Sequence, residues 1–334
     1  MELGAERIED VPLPDAARTF LRESWGIERL HPPQAEAMPA VLSQRNTIVA
    51  IPTASGKSLV AYLGILHRLL VTHPGSRAVY IVPLKALASE KHSELVELAE
   101  AVGLTVGLGI GEATGERRLI DECDILVCTS EKLDSLMRTK PDRMANVSVI
   151  VADEFHLLND TSRGPTLEIN LTRLRHLRPE AQIIALSATV GNAPDLAAWL
   201  DAALITSDWR PVALEYSTLY ELNLEPRKIQ SNAAEGNELR APRKVLGPTS
   251  HPTWAVLNDV ADQQGQVLIF VATRRSAVSE AKRLFKVVNG TPSMTIAPGV
   301  AHLWRRGTRR PPRSSRRRAS RAPRTAARSP PSSR

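Results

Sequence analysis

Short apolar runs alternate with amphipathic stretches between residues 47 and 200. The apolar runs lie at Thr47–Ile51, Ala78–Val82, Thr105–Ile110, Ile125–Cys128, Val147–Ala152 and Ile183–Leu186. Apolar residues at helical spacing occupy a stretch that opens at Lys57, then Leu84–Val102, Glu131–Arg138, a stretch that opens at Pro165, and Ala193–Leu200. Ser130 is the expected N-cap of the third of these helices. Uninterrupted apolar strands separated by helices are typical of a parallel sheet covered on both faces. The pattern therefore predicts an α/β domain built on a parallel sheet.

The pattern changes outside this region. Residues 1–45 predict two helices, the second of which follows His31-Pro32-Pro33. Residues 221–252 are polar and rich in proline, which predicts a connecting segment. A helix at Thr253–Gln263, a buried strand at Val267–Val271 and a helix at Arg274–Val288 then predict the beginning of a second α/β domain. We expect boundaries at 1–205 for the first domain, 206–252 for the connection, 253–302 for an incomplete second domain and 303–334 for a tail.

The charge is unevenly distributed along the 334 residues. The net charge is +7, but residues 305–334 contain twelve arginines and no acidic residue, so residues 1–304 carry −5. This segment holds only Arg, Pro, Ser, Ala, Thr and Gly, which cannot build a core, and we expect it to be disordered. Two origins are open. A genuine basic arm would bind phosphates with strong salt dependence, whereas out-of-frame translation of a G+C-rich gene, which we favour, would give the same composition.

Composition excludes several classes of protein. Cys123 and Cys128 stand in an apolar run at a spacing that fits no zinc or redox pair, and we expect them to be buried in a strand. The eight histidines form no ligand-like cluster. No signal peptide is apparent, and the apolar run Leu59–Leu66 is too short to span a membrane. We therefore expect a cytoplasmic, monomeric protein with no membrane partner.

The stretch from Asn46 to Leu70 has the pattern of a phosphate-binding loop: an apolar strand, a tight turn and a helix that opens at Lys57. Backbone N–H groups and the helix dipole at such a turn point towards an anion. Lys57 would reach the β- and γ-phosphates, Ser58 would ligate Mg²⁺, and Gly56 would allow close approach of the backbone. Ile51 stands where the strict motif has glycine. An ordinary strand–turn–helix with a surface lysine is the alternative.

An acidic pair follows the apolar run Val147–Ala152. Asp153 and Glu154 would lie at the carboxyl edge of the sheet, where parallel sheets bind ligands. Asp153 would hold Mg²⁺ and Glu154 would orient or deprotonate the attacking water. The alternative is a pair of solvated acids at a strand end. The triad Ser187-Ala188-Thr189 also follows a strand, and its hydroxyls could bond His156, although small hydroxylated residues commonly end strands for structural reasons.

Several segments occur together in an order that is similar to the superfamily 2 DExH-box helicases. They are PTASGKS (52–58), VPLKALASEK (82–91), TSEKLDSLMR (129–138), DEFH (153–156), SRGPTLEI (162–169), LSATVGNAPDLAAWL (186–200), SDWRPVALEY (207–216) and VLIFVATRRSA (267–277). The chain most resembles the archaeal replication-fork DNA helicase branch, which is related to the superkiller-type RNA helicases. The resemblance covers roughly residues 5–302. In that family PTxSGK is the usual loop, so Ile51 is no anomaly.

The resemblance implies a role for each matching residue. Gln34 would read the adenine edge, although it could equally be an exposed residue at a helix start. Catalysis would depend on Lys57, Asp153 and Glu154. The ATP-binding loop would comprise Pro52, Thr53, Ala54, Ser55, Gly56, Lys57 and Ser58, with Mg²⁺ on Ser58 and Asp153. The residues that couple hydrolysis to movement along the nucleic-acid strand would be His156, Ser187, Ala188 and Thr189. Contacts to nucleic acid would come from Pro83, Lys85, Thr129, Lys132, Arg163, Gly164, Thr273 and Arg275. For the lysines and arginines, solvated surface charge is the alternative.

The family resemblance also implies the fold and the activity. We expect a RecA-like P-loop NTPase domain with a parallel sheet, then a truncated second RecA-like domain, because the similarity stops after His302. The family's arginine fingers come from a QxxGRAGR-like segment that this sequence does not contain. The implied function is an ATP-dependent DNA helicase with impaired activity, using ATP and Mg²⁺ and binding DNA rather than RNA. Alternatives are a superkiller-type RNA helicase, a non-catalytic protein that binds nucleic acid through its arginine tail, and a plain P-loop NTPase, which would leave the nucleic-acid motifs unexplained.

Overall fold

A computed structural model of the chain describes residues 6–110, 122–230, 240–247 and 250–289. It divides into two units: Met1–Thr218 with Glu225–Pro242, and Leu219–Leu224 with Arg243–Arg334. The predicted arginine-rich tail at 303–334 and the last part of the predicted second domain, 290–302, lie outside the described residues.

A seven-stranded sheet forms the centre of the first unit. Its strands are β1 (Thr47–Ala50), β2 (Arg77–Val82), β3 (Val106–Gly109), β4 (Ile125–Thr129), β5 (Val147–Ala152), β6 (Gln182–Ser187) and β7 (Ala203–Thr206). They lie in the order β3-β4-β2-β5-β6-β1-β7, and all neighbouring pairs are parallel. The predicted parallel α/β architecture of a RecA-like domain is confirmed, and the six apolar runs are strands to within a residue or two.

Helices cover both faces of this sheet. They are α1 (Asp15–Glu23), α2 (Pro32–Leu42), α3 (Lys57–His67), α4 (Lys85–Glu100), α5 (Ser130–Thr139), α6 (Gly164–Leu177) and α7 (Ala193–Leu200). One buried cluster joins α1 to α4 with strand residues such as Val49 and Tyr80, and the other joins α5 to α7 with strand residues such as Ile48 and Ile81. Successive strand residues thus enter opposite cores, which explains why the strands are apolar without interruption.

The start of α5 corrects one expectation. Ser130 is the first residue of the helix and is buried, whereas Thr129 is the N-cap. The Thr129 hydroxyl accepts a hydrogen bond of 3.3 Å from the backbone N–H of Lys132. Both residues have side chains suited to capping, and β4 extends one residue further than predicted, which moves the cap back to Thr129. Cys128 lies in β4 as expected, while Cys123 is buried just before that strand.

Three further strands lie in the segment that the sequence indicated as a connection. They are β8 (Leu214–Tyr220), β9 (Asn223–Gln230) and β10 (Arg243–Lys244), in the order β10-β9-β8. β10 pairs antiparallel with the first residues of β9. Along β8 the side chains are exposed or half-buried, and both residues of β10 are exposed. The sequence therefore lacks the apolar pattern by which a strand is normally recognised.

The second unit contains two helices, α8 (Pro252–Asp262) and α9 (Arg274–Asn289), close to their predicted positions. The strand predicted at Val267–Val271 is wrong: these residues have no regular secondary structure, and Phe270 is 86% exposed. Backbone groups of a strand need neighbouring strands as partners. None of the strands in the described part of the chain pairs with this segment.

The helices in the described part of the chain are all too short or too polar to cross a lipid bilayer.

Gly164, a predicted nucleic-acid contact, stands where α6 meets the preceding turn. It is buried, and a Cβ atom added there would lie 2.1 Å from the carbonyl oxygen of Leu158. Only a residue without a side chain allows the backbone to approach so closely. Packing therefore explains this glycine without a ligand.

We predict that Gly164→Ala destabilises the first unit by about 1–3 kcal/mol, because the backbone must move to admit the methyl group. Thermal unfolding would measure the change. Gly191→Ala is the matched control, since a Cβ atom there meets nothing within 4 Å. An unchanged melting temperature in Gly164→Ala, combined with weaker binding of nucleic acid, would contradict the packing explanation and favour direct contact.

Candidate nucleotide and nucleic-acid site

The predicted site residues of the first unit gather at the carboxyl edge of the large sheet. The loop at 52–56 follows β1, Asp153 follows β5, and Ser187 ends β6. These three strands are neighbours in the sheet, with β6 in the middle. The ladder extends up to the site, since Ile51 N–H donates to Ser187 O at 3.2 Å and Asp153 N–H donates to Ile81 O at 2.9 Å. The polar groups therefore stand on the ends of hydrogen-bonded strands.

The loop between β1 and α3 is tightly folded. Ala54 and Gly56 have φ values of 66° and 74°, and Gly56 is the N-cap of α3. The buried hydroxyl of Ser55 donates to the carbonyl oxygen of Pro52. Left-handed residues on either side of Ser55 turn the backbone sharply into the helix, which is the geometry expected of an anion-binding turn at a helix N-terminus.

Gln34 is buried against this loop. Its Nε2 donates to the carbonyl oxygens of Gly56 at 2.9 Å and Ser55 at 3.3 Å, and its Oε1 accepts from the backbone N–H of His31 at 2.8 Å. A Cβ atom at position 56 would lie 2.4 Å from Gln34 Nε2. The alternative of an exposed glutamine is wrong, since the side chain is buried and hydrogen-bonded to the loop between β1 and α3. Its contact with adenine stays a prediction.

Lys57 opens α3 and is 8% exposed. Its ammonium nitrogen is buried and finds no hydrogen-bond partner among the described residues. A buried, unpaired charge is strongly unfavourable, so such groups normally have an anionic partner. The alternative of a surface lysine is therefore wrong, and the environment of Lys57 suits a bound phosphate.

Asp153 is 7% exposed, and both of its carboxylate oxygens accept hydrogen bonds. Oδ1 accepts from the backbone N–H of Glu154 at 2.8 Å, and Oδ2 accepts from the hydroxyl of Tyr80 at 2.9 Å. Burial raises the pKa of Asp153, and these two hydrogen bonds partly offset the effect. The alternative of a solvated acid is wrong for this residue, because water reaches little of its surface.

Tyr80 belongs to a small buried network that the sequence analysis missed. Burial, reinforced by the neighbouring Asp153, raises the pKa of Tyr80, so its hydroxyl keeps its proton and donates. The rings of Tyr80 and Tyr62 lie 6.0 Å apart, and the Tyr62 hydroxyl bonds Glu94. Ser58 lies close enough to both phenols to lower their pKa values slightly. The sequence offered one indication of this network: a tyrosine among the aliphatic residues of β2, since a buried phenol needs a hydrogen-bond partner.

His156 lies between Glu154 and the loop after β6. Glu154 has a φ of 51°, and one of its carboxylate oxygens lies 3.3 Å from Nδ1 of His156. The backbone N–H of Ala188 also points to Nδ1, at 3.5 Å. The expected hydroxyl contact to His156 is therefore replaced by a backbone contact. Ser187 Oγ is buried without a hydrogen-bond partner among the described residues, and Thr189 is exposed.

The predicted nucleic-acid contacts have mixed environments. Lys85 is exposed at the start of α4, and Pro83 and Arg163 are half-buried. A small cavity brings Pro83 and Arg163 together with Asp153 and Glu154, so these candidates adjoin the acidic pair. The hydroxyl of Thr129 caps α5, and Lys132 is half-buried one turn into that helix. Direct contact with nucleic acid stays a prediction for all of them.

Thr273 and Arg275 belong to the second unit. The hydroxyl oxygen of Thr273 accepts from the backbone N–H of Ser276 at 3.0 Å, which caps α9. Arg275 is exposed in the first turn of that helix. This capping role is enough to explain the threonine at position 273 without a contact to nucleic acid.

A second feature missed in the sequence lies beside the phosphate loop. The ring centroids of His31 and Trp209 lie 4.5 Å apart with the planes tilted by 37°, and the guanidinium of Arg210 donates to the carbonyl oxygen of Thr53 at 3.4 Å. Burial lowers the pKa of His31. Trp209 and Arg210 belong to SDWRPVALEY, one of the segments similar to the helicase family, but the similarity assigned these residues no role.

Comparison with known proteins adds the family. Residues 31–196 match the DEAD/DEAH box helicase family. The chain is 40% identical over 285 residues to the ATP-dependent DNA helicase Hel308 of Methanocella arvoryzae, covering 83% of this chain and 36% of that protein. It is 42% identical over 286 residues to Hel308 of Thermococcus kodakarensis, covering 85% of this chain and 23% of that protein. It therefore spans only about a quarter to a third of these relatives.

A solved structure supports the fold. The DUF1998 helicase MrfA bound to DNA matches with a TM-score of 0.52 at 24% identity, covering 58% of this chain and 30% of that one. Residues 31–196 thus match the DEAD/DEAH box helicase family, and the chain is similar to the archaeal Hel308 DNA helicases.

Proposed function

We propose that this chain is an ATP-dependent motor that acts on DNA, with residues 1–205 forming its ATP-binding RecA-like domain. The observation that supports this most directly is the ammonium group of Lys57, which is buried at the N-terminus of α3 with no hydrogen-bond partner in the part of the chain that the structure describes. The γ- and β-phosphates of ATP would supply the missing negative charge. Backbone N–H groups of residues 54–58 would bind the remaining phosphate oxygens.

The residues present fit a magnesium ion. Ser58 and Asp153 provide the hydroxyl and carboxylate oxygens that Mg²⁺ accepts, while the phosphates of ATP would provide others. Asp153 is oriented by two hydrogen bonds and faces little solvent. A bound ion would neutralise charge that develops on the phosphates during hydrolysis.

Glu154 is our candidate for the residue that orients or deprotonates the attacking water. It directly follows Asp153, and its carboxylate is partly accessible. Nδ1 of His156 lies 3.3 Å from a carboxylate oxygen of Glu154 and 3.5 Å from the backbone nitrogen of Ala188, so His156 can bond either the candidate hydrolytic residue or the loop after β6. Through this link a change at the γ-phosphate would reach the segment that contains Ser187 and Thr189.

DNA is the polymer we propose as the partner. Two relatives that are 40% and 42% identical to this chain bear the name ATP-dependent DNA helicase. Pro83 and Arg163 line a cavity together with Asp153 and Glu154. The candidate contacts to the DNA strand therefore lie beside the residues that we propose for hydrolysis. Helix N-termini such as that of α4, where Lys85 is exposed, suit phosphates of a nucleic-acid backbone. Binding of RNA by the same surface is the main alternative.

Lys57→Met tests the phosphate site. We predict that the variant without nucleotide is more stable than the original chain, by on the order of 1–3 kcal/mol, because an unpaired buried charge is removed. ATP should no longer raise the melting temperature of the variant, since a ligand stabilises only a folded state that it binds. Lys228→Met, at an exposed lysine, is the control and should change neither property. Retention of ATP-dependent stabilisation in Lys57→Met would contradict the proposed site.

Glu154→Gln tests hydrolysis. We predict that ATP turnover in the presence of single-stranded DNA falls by about 10²-fold or more, as expected for loss of a general base. Binding of ATP should persist, because Lys57 and the loop are intact. Glu180→Gln, an exposed acid that precedes β6 at the opposite edge of the sheet, should behave like the original chain. Equal turnover in both variants would show that Glu154 has no part in hydrolysis.

The arginine-rich segment supports a second candidate function, non-catalytic binding of nucleic acid, because its twelve arginines suit a phosphate backbone. We predict that a chain lacking 303–334 still binds fluorescent single-stranded DNA, measured by anisotropy, with a weaker dependence on salt. It should bind RNA of the same sequence less tightly.

Complete loss of DNA binding on deletion of 303–334 would favour the non-catalytic function. Tighter binding of RNA than of DNA by the shortened chain would favour the RNA helicase alternative.

A further inference from the structure

Asp153 receives its second hydrogen bond from a residue on another strand. The hydroxyl of Tyr80, in β2, donates to Oδ2 at 2.9 Å, while Oδ1 is bonded by the N–H of Glu154. Tyr80 is fully buried in a strand whose other buried residues are aliphatic. The phenol is therefore a specific polar group placed in an apolar core, and its partner is the proposed ligand of Mg²⁺.

Two hydrogen bonds fix both oxygens of the carboxylate and hence its rotation. The bond from Glu154 is local and would by itself leave Oδ2 without a hydrogen-bond partner among the residues that the structure describes. The bond from Tyr80 comes from the adjacent strand, where Ile81 is paired with Ala152 in register. Because strand backbones move little relative to one another, the phenol holds Oδ2 more firmly than a loop residue could.

Tyr80 itself is held in place. Its ring lies 6.0 Å from that of Tyr62, whose hydroxyl bonds Glu94 on α4, and Glu94 in turn pairs with Lys91 at 3.1 Å. The Ser58 side chain also lies near the phenol oxygen of Tyr80. The buried hydroxyl of Tyr80 thus bonds one proposed ligand of the ion, Asp153, and lies near the other, Ser58.

We propose that Tyr80 is a positioning residue for Mg²⁺, which orients the Asp153 carboxylate beside Ser58 before the ion binds. The inference rests on the proposed function, because it assumes that Asp153 and Ser58 hold Mg²⁺ with a nucleotide. Hydrogen-bond partners of metal ligands generally tune affinity by keeping the ligand in one orientation. Tyr80 has this relation to Asp153.

Tyr80→Phe removes the hydroxyl and keeps the ring. In the full chain, binding of a fluorescent ADP analogue would be measured in EDTA and then during titration with MgCl₂. We expect the Mg²⁺ concentration at half-effect to rise about tenfold, the magnitude typical for loss of such a partner. Affinity for the analogue in EDTA should not change, and excess Mg²⁺ should restore the original affinity.

Ser148→Ala is the matched control. The hydroxyls of Ser76 and Ser148 are hydrogen-bonded at 2.7 Å and lie at the opposite ends of β2 and β5 from Tyr80 and Asp153. The control therefore removes one buried side-chain hydrogen bond between β5 and the residue that precedes β2, remote from the site. We expect Ser148→Ala to leave the Mg²⁺ midpoint unchanged, while the melting temperatures of both variants fall to a similar degree.

The outcomes separate the two proposals. If the original chain shows no effect of Mg²⁺ on nucleotide affinity, the proposed function fails. If the original chain responds and Tyr80→Phe has the same midpoint, only the role of Tyr80 fails. A Tyr80→Phe chain that also loses affinity in EDTA, or a Ser148→Ala chain with the same shift in midpoint, would show that the hydroxyl supports the fold and would equally overturn the inference.

Discussion

When helices cover both faces of a parallel sheet, polar side chains can reach solvent or a ligand only where the strands begin or end. In this chain the aliphatic residues of seven strands fill the two cores, so the residues that follow β1 and β5 and end β6 lie together at the carboxyl edge. The strand ladder continues to Ile51 and Asp153, which are bonded to Ser187 and Ile81. The site therefore takes its rigidity from the sheet, and its geometry depends on the parallel pairing.

The same edge contains groups that reduce stability. The ammonium of Lys57 and the hydroxyl of Ser187 are buried without partners among the described residues, and burial raises the pKa of Asp153. Unpaired buried groups of this kind cost free energy that the two apolar cores must offset. Ligand binding would remove part of that cost. The balance is typical of sites that are organised before a substrate arrives.

Much of this architecture could be predicted because strands buried on both faces leave an unmistakable apolar pattern. The spacing of Lys57 and Asp153 along that pattern placed them at one edge. The network around Tyr80 could not be predicted, since a contact between β2 and the end of β5 depends on strand order. The segment at Val267–Val271 has the composition of a buried strand, but a strand forms only where another is present to pair with it. Thr129 shows that capping depends on where the preceding strand ends.

The contact geometry of His156 has a chemical consequence. Its Nδ1 can accept the N–H of Ala188 only when that nitrogen is bare, and it can donate to the Glu154 carboxylate only when it bears a proton. The two bonds are mutually exclusive. The location of one proton on the imidazole ring thus decides whether His156 is hydrogen-bonded to the Glu154 carboxylate or to the backbone N–H of Ala188, just after β6.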